Sequence, residues 1–297
     1  MADTVFTRRQ ALDRGLSDAQ LYRSVRSGCL TRVSHGVLAD SAQWAELAAV
    51  EKYRAAIHAA VGRCTTGAVV SHVSAAVLHS LPLLHPDFRS VHFSRNGRSG
   101  GHRGDRILHC VALTPDDVTE LDGIAVTTPA RTAVDVACRG SFEQAVCVLE
   151  SALRAGVVAE DVADTIARLG KRRGIAVARR AAAFADGRTE SIGESWSRAL
   201  MGTWSDFRLP RLQHEFRTPD GRFVARTDFD WDGVMVGEFD GRVKYGGGAT
   251  DAVLAERRRE SRLHELGVHV VRWTWGDLQQ PRELHRALRQ GLDRVGL

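Results

Sequence analysis

Residues 222–243, RFVARTDFDWDGVMVGEFDGRV, constrain the fold more than any other part of the chain. Apolar residues alternate on both sides of an Asp-Gly pair at 232–233, and such a pair between alternating runs is typical of a type I′ hairpin turn. The alternation places Asp228 on the first strand and Glu238 and Asp240 on the second. Because Glu238 and Asp240 are two residues apart, they share one face of their strand. The segment predicts a hairpin that carries three carboxylates.

Three carboxylates at adjacent strand ends repel one another unless a cation lies among them. Oxygen ligands without sulfur favour Mg²⁺ or Mn²⁺. Such an ion polarises a phosphodiester and lowers the pKa of an attacking water. Lys244 follows the second strand and is predicted to orient that water or to stabilise the charge that grows on the phosphate. The alternative is an ordinary strand end that turns into solvent.

The elements around this hairpin have a definite order. A Ser-capped helix over TESIGESWSRALMGTW precedes it and carries Glu194, and the charged helix DAVLAERRRESRLHELG follows it. The strand VHVVRWTW comes last. The pattern predicts helix, strand, strand, helix, strand.

These motifs resemble a known group of proteins. TDFDW, GEFDGRVKYGG and ERRRESRLHELGVHVVRWTW, within residues 189–292, are similar to a domain of unknown function related to very-short-patch-repair endonucleases, which have the PD-(D/E)xK restriction-endonuclease-like fold. The resemblance implies a metal-dependent DNA endonuclease whose residues would be the metal ligands Glu194, Asp228 and Glu238, the catalytic residues Asp240 and Lys244, and the accessory residues Glu256 and Arg259. The chain departs from the family's E-x-K motif, because Asp240 stands where Lys is expected and Lys244 would substitute from a shifted position.

Residues 1–40 predict a second module. Thr7 and Ser17 each fit the N-cap of a helix, and Gly15 and Gly28 fit the ends of those helices. The stretch CLTRVSHGVLA then alternates like a hairpin. Helix, turn, helix and a two-stranded wing outline a winged helix-turn-helix.

The second helix of this module, with Ala19, Tyr22, Val25 and Arg26 at helical spacing, would be the element that reads DNA. We expect Arg23 and Arg26 on that helix and Arg32 on the wing to contact double-stranded DNA. The alternative is an ordinary pair of surface helices.

The N-terminal segment also resembles a known family. FTRRQALDRGLSDAQLYRSVRSGCLTRVSHGVLAD is similar to the winged-helix domain of AbiEi-type antitoxins, and SHVSAAVLHSLPLL with VTTPARTAVDVA looks like the region that follows it in many actinobacterial chains. The resemblance implies that the protein binds operator DNA, represses its own operon and offsets a nucleotidyltransferase-type toxin.

Between the two modules, residues 41–168 mix helical and strand patterns and predict a mixed α/β middle domain. His72 and His79 are seven residues apart, close to two helical turns, but no third metal ligand is evident, so both are interpreted as structural hydrogen-bonding histidines. Residues 169–188 are predicted to be a basic helical linker. Its residues Lys171, Arg172 and Arg173 would bind DNA phosphates or, alternatively, form a solvated face.

Composition bounds the remaining choices. A chain of 297 residues predicts two or three domains, and a formal charge of +5 permits nucleic-acid binding. Five cysteines without a C-x-x-C pair indicate reduced thiols, and no run approaches the length of a membrane span. We therefore expect a cytoplasmic α+β or α/β multidomain protein without a membrane contact, whose last domain, 189–297, is restriction-endonuclease-like. The sequence leaves the oligomeric state open.

Two classes of function remain after these inferences. The first is a Mg²⁺- or Mn²⁺-dependent DNA endonuclease directed by a winged helix. The second is an antitoxin-like transcriptional regulator whose nuclease-like domain is an inactive platform for DNA or a partner.

Overall fold

The protein is a mixed α/β chain with three β-sheets, seen in a computed structural model that describes residues 5–34, 36–64, 67–97, 99–241 and 259–297. The N-terminal elements are β1 Val5–Thr7, α1 Arg8–Asp13, α2 Asp18–Arg26, β2 Leu30–Ser34, β3 Val37–Asp40, α3 Ser41–Glu46 and α4 Ala49–Val61. The middle strands are β4 Val69–Val70, β5 Val91–Arg95, β6 Gly101–Arg103, β7 Arg106–Cys110, β8 Val118–Leu121 and β9 Ile124–Thr127. The middle helices are α5 His72–Leu78, α6 Pro129–Ala137, α7 Phe142–Arg154, α8 Ala159–Leu169 and α9 Ile175–Phe184.

The C-terminal elements include the hairpin predicted from residues 222–243. They are α10 Ile192–Met201, β10 Arg211–Arg217, β11 Phe223–Trp231, β12 Met235–Asp240, α11 (helical residues 259–265), β13 His269–Thr274, α12 Trp275–Leu278 and α13 Pro281–Arg294.

The N-terminal helices begin at the predicted caps. The Thr7 hydroxyl accepts the backbone N–H of Gln10 at 3.1 Å, and the Ser17 hydroxyl accepts that of Gln20 at 3.3 Å. Each glutamine side chain accepts the backbone N–H of its cap residue in return, which completes a capping box. The helices pack on an antiparallel sheet of order β1-β3-β2. This arrangement agrees with the predicted helix, turn, helix and wing.

The middle region contains a six-stranded sheet of order β6-β7-β5-β4-β9-β8. Helices α4 and α5 pack against it through a core that includes Tyr53, Ile57 and Phe93. Helices α6 to α9 form a separate helical cluster around Val134, Leu149 and other apolar residues. The mixed α/β character predicted for this region is therefore confirmed.

Residues 169–188, predicted as a basic helical linker, contain α9, and its Ala178 and Ala181 are fully buried in the helical cluster. The three basic residues 171–173 precede α9 and lie between two glycines, Gly170 and Gly174, that have φ of +56° and +80°. Left-handed backbone at these positions ends α8 and starts α9. The basic run is therefore a connection between two helices.

A buried ion-pair network ties the helical cluster to the edge of the six-stranded sheet. Arg131, 1% exposed, donates to Asp117 at 2.9 Å and to Asp135 at 3.0 Å. Arg168 and Arg172 complete the network, with contacts of 3.0 Å to Asp117 and Asp135 respectively. Buried charges persist only when they are paired and hydrogen-bonded, and here both carboxylates have two arginine partners.

The C-terminal sheet has the order β10-β11-β12-β13, with β12 and β13 parallel and the other pairs antiparallel. The predicted hairpin is confirmed. The Val234 N–H donates to the Trp231 carbonyl at 3.1 Å, and Asp232 and Gly233 have φ of +52° and +74°, as a type I′ turn requires. β10 is an additional strand that the sequence pattern did not predict.

Helix α10 joins this sheet to the helical cluster. Glu150 of α7 is fully buried and accepts from Arg198 of α10 at 2.6 Å and from Thr189 at 2.7 Å. These bonds fix α10, and with it Glu194, relative to the middle region.

Within the part of the chain that the structure describes, no helix has both the length and the apolar character that a membrane span requires.

Candidate functional site

Helix α2 presents a polar and aromatic face to solvent. Leu21 is buried against Ala11 and Leu38, which fixes the rotation of the helix. Arg23 and Arg26 are exposed on its other side, as the sequence predicts for a recognition helix. Tyr22, which follows the helical spacing of Ala19 and Val25, is 68% exposed and lies between the core contact of Leu21 and the arginines. An exposed tyrosine beside arginines offers both a hydrogen-bonding hydroxyl and an apolar ring to a ligand.

The wing adds a third arginine. Arg32 lies on β2, opposite Leu38 of β3, and is exposed. The ion pair between Arg8 of α1 and Asp18 of α2 joins the two helices of the module. Arg23, Arg26 and Arg32 thus belong to one small module whose elements contact one another.

The basic run between α8 and α9 divides into two kinds of residue. Arg172 donates to the fully buried carboxylate of Asp135 at 3.0 Å, so its guanidinium belongs to the structural network. Lys171 and Arg173 are exposed. Of the three residues predicted to contact phosphate here, the exposed pair retains an accessible charge.

Two of the three predicted metal ligands approach each other at the C-terminal sheet. Glu194, in the first turn of α10, accepts the backbone N–H of Glu190 at 2.8 Å and the side-chain amide of Gln213 at 3.0 Å. Asp228 of β11 accepts the backbone N–H of Phe239 at 2.9 Å, and the nearby Gln213 side chain favours its ionised form. Gln213 therefore lies next to both carboxylates.

Burial and proximity change the ionisation of this pair. Burial raises the pKa of Glu194, and the neighbouring Asp228 carboxylate adds to the increase. Burial also raises the pKa of Asp228, against the opposing effect of the Phe239 N–H. A cation between the two would offset both effects.

The third predicted ligand, Glu238, has a different environment. Its Oε2 accepts from Arg259 at 2.6 Å and lies 3.2 Å from Arg272 of β13. Among the described residues, the carboxylates of Glu194, Asp228 and Glu238 do not all approach within 4.8 Å of one another. Arg259, predicted as accessory, is thus a direct partner of Glu238.

The remaining predicted residues lie at or beyond the end of β12. Asp240 is its last residue and is exposed. Lys244 and Glu256 lie outside the described residues. Their predicted roles stay predictions.

Gln213 is the residue of this region that sequence reasoning missed. It lies in β10 with φ of +54°, a left-handed conformation, between the pairs Leu212↔Phe229 and His214↔Thr227, which keep the same register. Neither the strand nor the conformation had a recognisable signal, because a glutamine in an unpredicted strand matches no motif.

A second cluster lies in the middle domain. His72, His92 and His109 offer one nitrogen each within 4.8 Å of one another. His79, which the sequence paired with His72, instead lies with its Nε2 at 2.7 Å from the Thr127 carbonyl and is a structural histidine as predicted. His92 and His109 come from β5 and β7, so no sequence spacing connects them to His72.

The N-terminal module has the arrangement of a winged helix-turn-helix, an architecture that occurs in DNA-binding regulators. The chain belongs to the AbiEi antitoxin family. Residues 35–185 match the family model described as AbiEi antitoxin C-terminal domain, and residues 4–39 match the one described as Transcriptional regulator, AbiEi antitoxin. Both matches end before the C-terminal sheet, so they do not extend to the nuclease-like resemblance.

Curated relatives are similar over part of the chain. Uncharacterized proteins of Mycobacterium tuberculosis, from strains CDC 1551 / Oshkosh and ATCC 25618 / H37Rv, are each 32% identical over 177 residues. The match covers 59% of this chain and spans 64% of the length of those relatives. A crystal structure of the RV2827C protein from the same species overlaps 73% of this chain and 84% of its own, with 15% identity and a TM-score of 0.39.

Proposed function

We propose that the protein is a transcriptional regulator of the antitoxin type, which binds double-stranded operator DNA through α2 and the wing. The observation that carries the proposal is the solvent-facing side of α2, where Tyr22, Arg23 and Arg26 are exposed while Leu21 anchors the helix. A helix rotated in this way presents donors to base edges and phosphates in a major groove.

The wing and the overall charge support the same assignment. Arg32 on β2 extends the cationic surface beyond α2 to a hairpin, the element that in winged helices lies beside the recognition helix. A formal charge of +5 favours association with a polyanion. Lys171 and Arg173 are proposed as additional phosphate contacts, and Arg172 is left out because Asp135 holds it.

A partner follows from the family. Membership of the AbiEi antitoxins supports a cognate toxin, which we propose to be of the nucleotidyltransferase type. Repression and neutralisation would then be two activities of one chain.

We expect the protein to repress a reporter driven by the DNA upstream of its own gene and to protect one segment of that DNA in footprinting. Specific binding should exceed binding to scrambled DNA by about 10³-fold or more, as is typical of regulators. The toxin partner is tested in the same strain by expressing the protein encoded by the neighbouring gene. That protein should arrest growth when expressed alone, and co-expression of the regulator should relieve the arrest. Equal affinity for specific and scrambled DNA would refute the regulator, and growth arrest that persists would refute the toxin partner.

A second candidate function is metal-dependent DNA cleavage by the C-terminal sheet. The observation that favours it is that the buried Glu194 and the half-buried Asp228 lie side by side, and their hard oxygen donors fit Mg²⁺ or Mn²⁺. The ion would polarise the phosphodiester and activate water. Glu238 fits less well, since Arg259 and Arg272 already supply its positive charge. This balance makes the regulator the main proposal.

The variant Glu194→Gln tests whether the Glu194 carboxylate costs stability and whether it binds a metal ion. A carboxyl whose pKa is raised on folding costs stability once the pH exceeds that pKa, and the cost is absent below the pKa of the unfolded chain. We therefore expect Glu194→Gln to raise the melting temperature at neutral pH and to match wild type in acid. Glutamine keeps one oxygen to accept the Glu190 and Gln213 N–H groups.

The same variant tests the metal. If the pair binds a cation, Mn²⁺ should stabilise wild type but not Glu194→Gln, and supercoiled DNA should be cut with Mg²⁺ or Mn²⁺ and spared with EDTA. Asp228→Asn and Glu238→Ala should each lower the cleavage rate by at least about 10²-fold. Glu215→Gln, an exposed change on β10, is the matched control. Wild-type protein that binds DNA yet cuts none with either ion would leave only the regulator.

A further inference from the structure

We propose that His72, His92 and His109 form a binding site for one Zn²⁺ ion in the middle domain, with a fourth coordination position that faces the adjacent cavity. The three histidines each offer a ring nitrogen, and these nitrogens lie within 4.8 Å of one another. The cavity, of about 550 Å³, is lined by His72 and His92 and by residues such as His102, Ser90 and Arg139. The site is separate from the DNA-binding surface and does not depend on the regulator assignment.

The backbone holds the three residues in place. β5 and β7 are adjacent and parallel, and His109 lies opposite Ser94, which is two residues from His92 and on the same face. His72 is the first residue of α5, and its neighbour Ser71 donates its backbone N–H to the His92 carbonyl at 3.0 Å. Three separate elements therefore converge on one point.

The distances are close to those of a zinc site. Zn–N bonds of about 2.0–2.1 Å in a tetrahedron place ligand nitrogens roughly 3.3 Å apart. His92 Nδ1 and His109 Nε2 are already 3.0 Å apart, and the widest separation in the set is bounded at 4.8 Å. The His72 and His109 rings are stacked with centroids 3.9 Å apart, so both rings must turn about their side-chain torsions before their nitrogens face one ion.

The imidazoles are neutral and so carry the lone pairs that a metal needs. Burial lowers the pKa of His92 to about 4 and that of His109 to about 3, and it lowers the pKa of His72 well below its usual value. The nearby cations oppose Zn²⁺ only weakly, because Arg139 is exposed and Arg172 is paired with Asp135.

A further contact orients one of the ligands. Ser71 Oγ lies 2.9 Å from His72 Nδ1 and accepts a hydrogen bond from Ser94 at 2.7 Å. In the tautomer that donates Nδ1–H to Ser71, Nε2 of His72 carries the lone pair. Metal-binding histidines are commonly fixed in this way, by a partner on the other ring nitrogen.

The backbone of His72 is strained in a manner that fits a functional residue. Its φ is +54°, a left-handed value that residues other than glycine seldom adopt. Such conformations persist only where the surrounding structure imposes them, and they concentrate at binding sites. Here the conformation places the buried His72 ring face to face with the ring of His109.

The donor set selects the ion. Three imidazoles suit Zn²⁺, Cu²⁺, Ni²⁺ or Fe²⁺ and are poor ligands for Mg²⁺ or Ca²⁺. Three histidines with an open fourth position are an arrangement that protein zinc sites use. Because three neutral ligands leave the full charge of the ion, the fourth ligand would be hydroxide or an anionic group that enters from the cavity.

Cobalt provides a direct test, with the full-length chain made without a histidine tag and stripped by a chelator. We expect one equivalent of Co²⁺ to produce the visible absorption of tetrahedral cobalt and one equivalent of Zn²⁺ to abolish it. Zn²⁺ should also raise the melting temperature of the protein. Because the described cysteines include the exposed Cys29, the titration is repeated after alkylation and should be unchanged.

Two single substitutions and a control locate the ion. His92→Ala and His109→Ala should each weaken Co²⁺ binding by at least about 10²-fold and remove the zinc-dependent increase in melting temperature. His264→Ala removes an exposed histidine of α11 and should bind as wild type does. Circular dichroism of the metal-free variants checks their folding, and the wild-type titration decides the question even if a variant fails to fold. Any one of three results would overturn the proposal. These are a wild-type protein that shows no saturable binding, a sulfur-to-cobalt charge-transfer band, and unchanged binding in both folded variants.

Discussion

The double variant Arg23→Ala/Arg26→Ala is expected to bind operator DNA at least about 30-fold more weakly than wild type at physiological salt. Arginines of a recognition helix contribute about 1–3 kcal/mol each, so two of them contribute at least about 2 kcal/mol. Both side chains are exposed, and Leu21 rather than either arginine anchors α2 in its core. The melting temperature should therefore be unchanged, since exposed substitutions shift stability by about 0.5 kcal/mol or less.

Salt dependence shows which contacts are lost. If both arginines neutralise phosphates, the slope of log K against log salt should fall by about 2 in magnitude. If either reads a base, affinity for the operator should fall more than affinity for scrambled DNA. Tyr22→Ala should lower affinity without changing the slope, because tyrosine carries no charge at neutral pH. Fluorescence anisotropy across a salt series measures all three quantities.

A matched control removes the same charge elsewhere. Arg282→Ala/Arg294→Ala also lowers the net charge by two, from exposed positions on α13, and should leave operator affinity close to wild type. Equal losses in the two double variants would mean that net charge, and not α2, accounts for binding. An unaffected Arg23→Ala/Arg26→Ala variant would exclude α2 as the recognition helix.

The features predicted correctly from sequence depend on short-range chemistry. Thr7 and Ser17 begin their helices because each hydroxyl reaches an N–H three residues away. The turn at Asp232 and Gly233 forms because both positions need φ above zero and both residues tolerate it. In these cases the whole cause lies within about four residues, so a single sequence reveals it.

The features that sequence reasoning missed depend on distant residues. The basic run at 171–173 looks like a helix face, yet Gly170 and Gly174 take left-handed backbone and Arg172 pairs with Asp135, 37 residues earlier. Tyr22 follows the helical spacing, but it is Leu21 that lies in the core. The histidine cluster needs β5 and β7 to be neighbours, and nothing in the spacing of His92 and His109 indicates that pairing.

The candidate nuclease site is partly predictable for the same reason. Asp228 and Glu238 follow from strand alternation, which is local. Gln213, which donates to Glu194, and Arg272, which pairs with Glu238, come from strands that only the completed sheet brings alongside. Whether a carboxylate such as Glu238 binds a metal ion or pairs with an arginine is thus decided by neighbouring charges, and those residues belong to no sequence motif.

Arg131→Ala is expected to lower the free energy of unfolding by about 3 kcal/mol. Removing one partner of a buried ion pair costs about 3–5 kcal/mol, because the remaining charge stays buried without compensation. We expect a cost at the low end of this range because each carboxylate keeps one arginine partner at 3.0 Å. Asp117 keeps Arg168, and Asp135 keeps Arg172. Urea unfolding followed by circular dichroism at pH 7 measures the loss, and Arg139→Ala, an exposed change just after the same helix, should cost about 0.5 kcal/mol or less.

The pH dependence identifies charge, rather than lost packing, as the cause of that destabilisation. Burial already raises the pKa of Asp135 in the wild type, and removing Arg131 raises it further. The folded variant then binds more protons than the unfolded chain as the pH falls, so its deficit relative to wild type should shrink in acid. Adding Asp135→Asn to Arg131→Ala should recover part of the loss at pH 7, because one buried charge is gone. A deficit that is constant with pH and is not relieved by Asp135→Asn would mean that Arg131 stabilises the helical cluster through its volume alone.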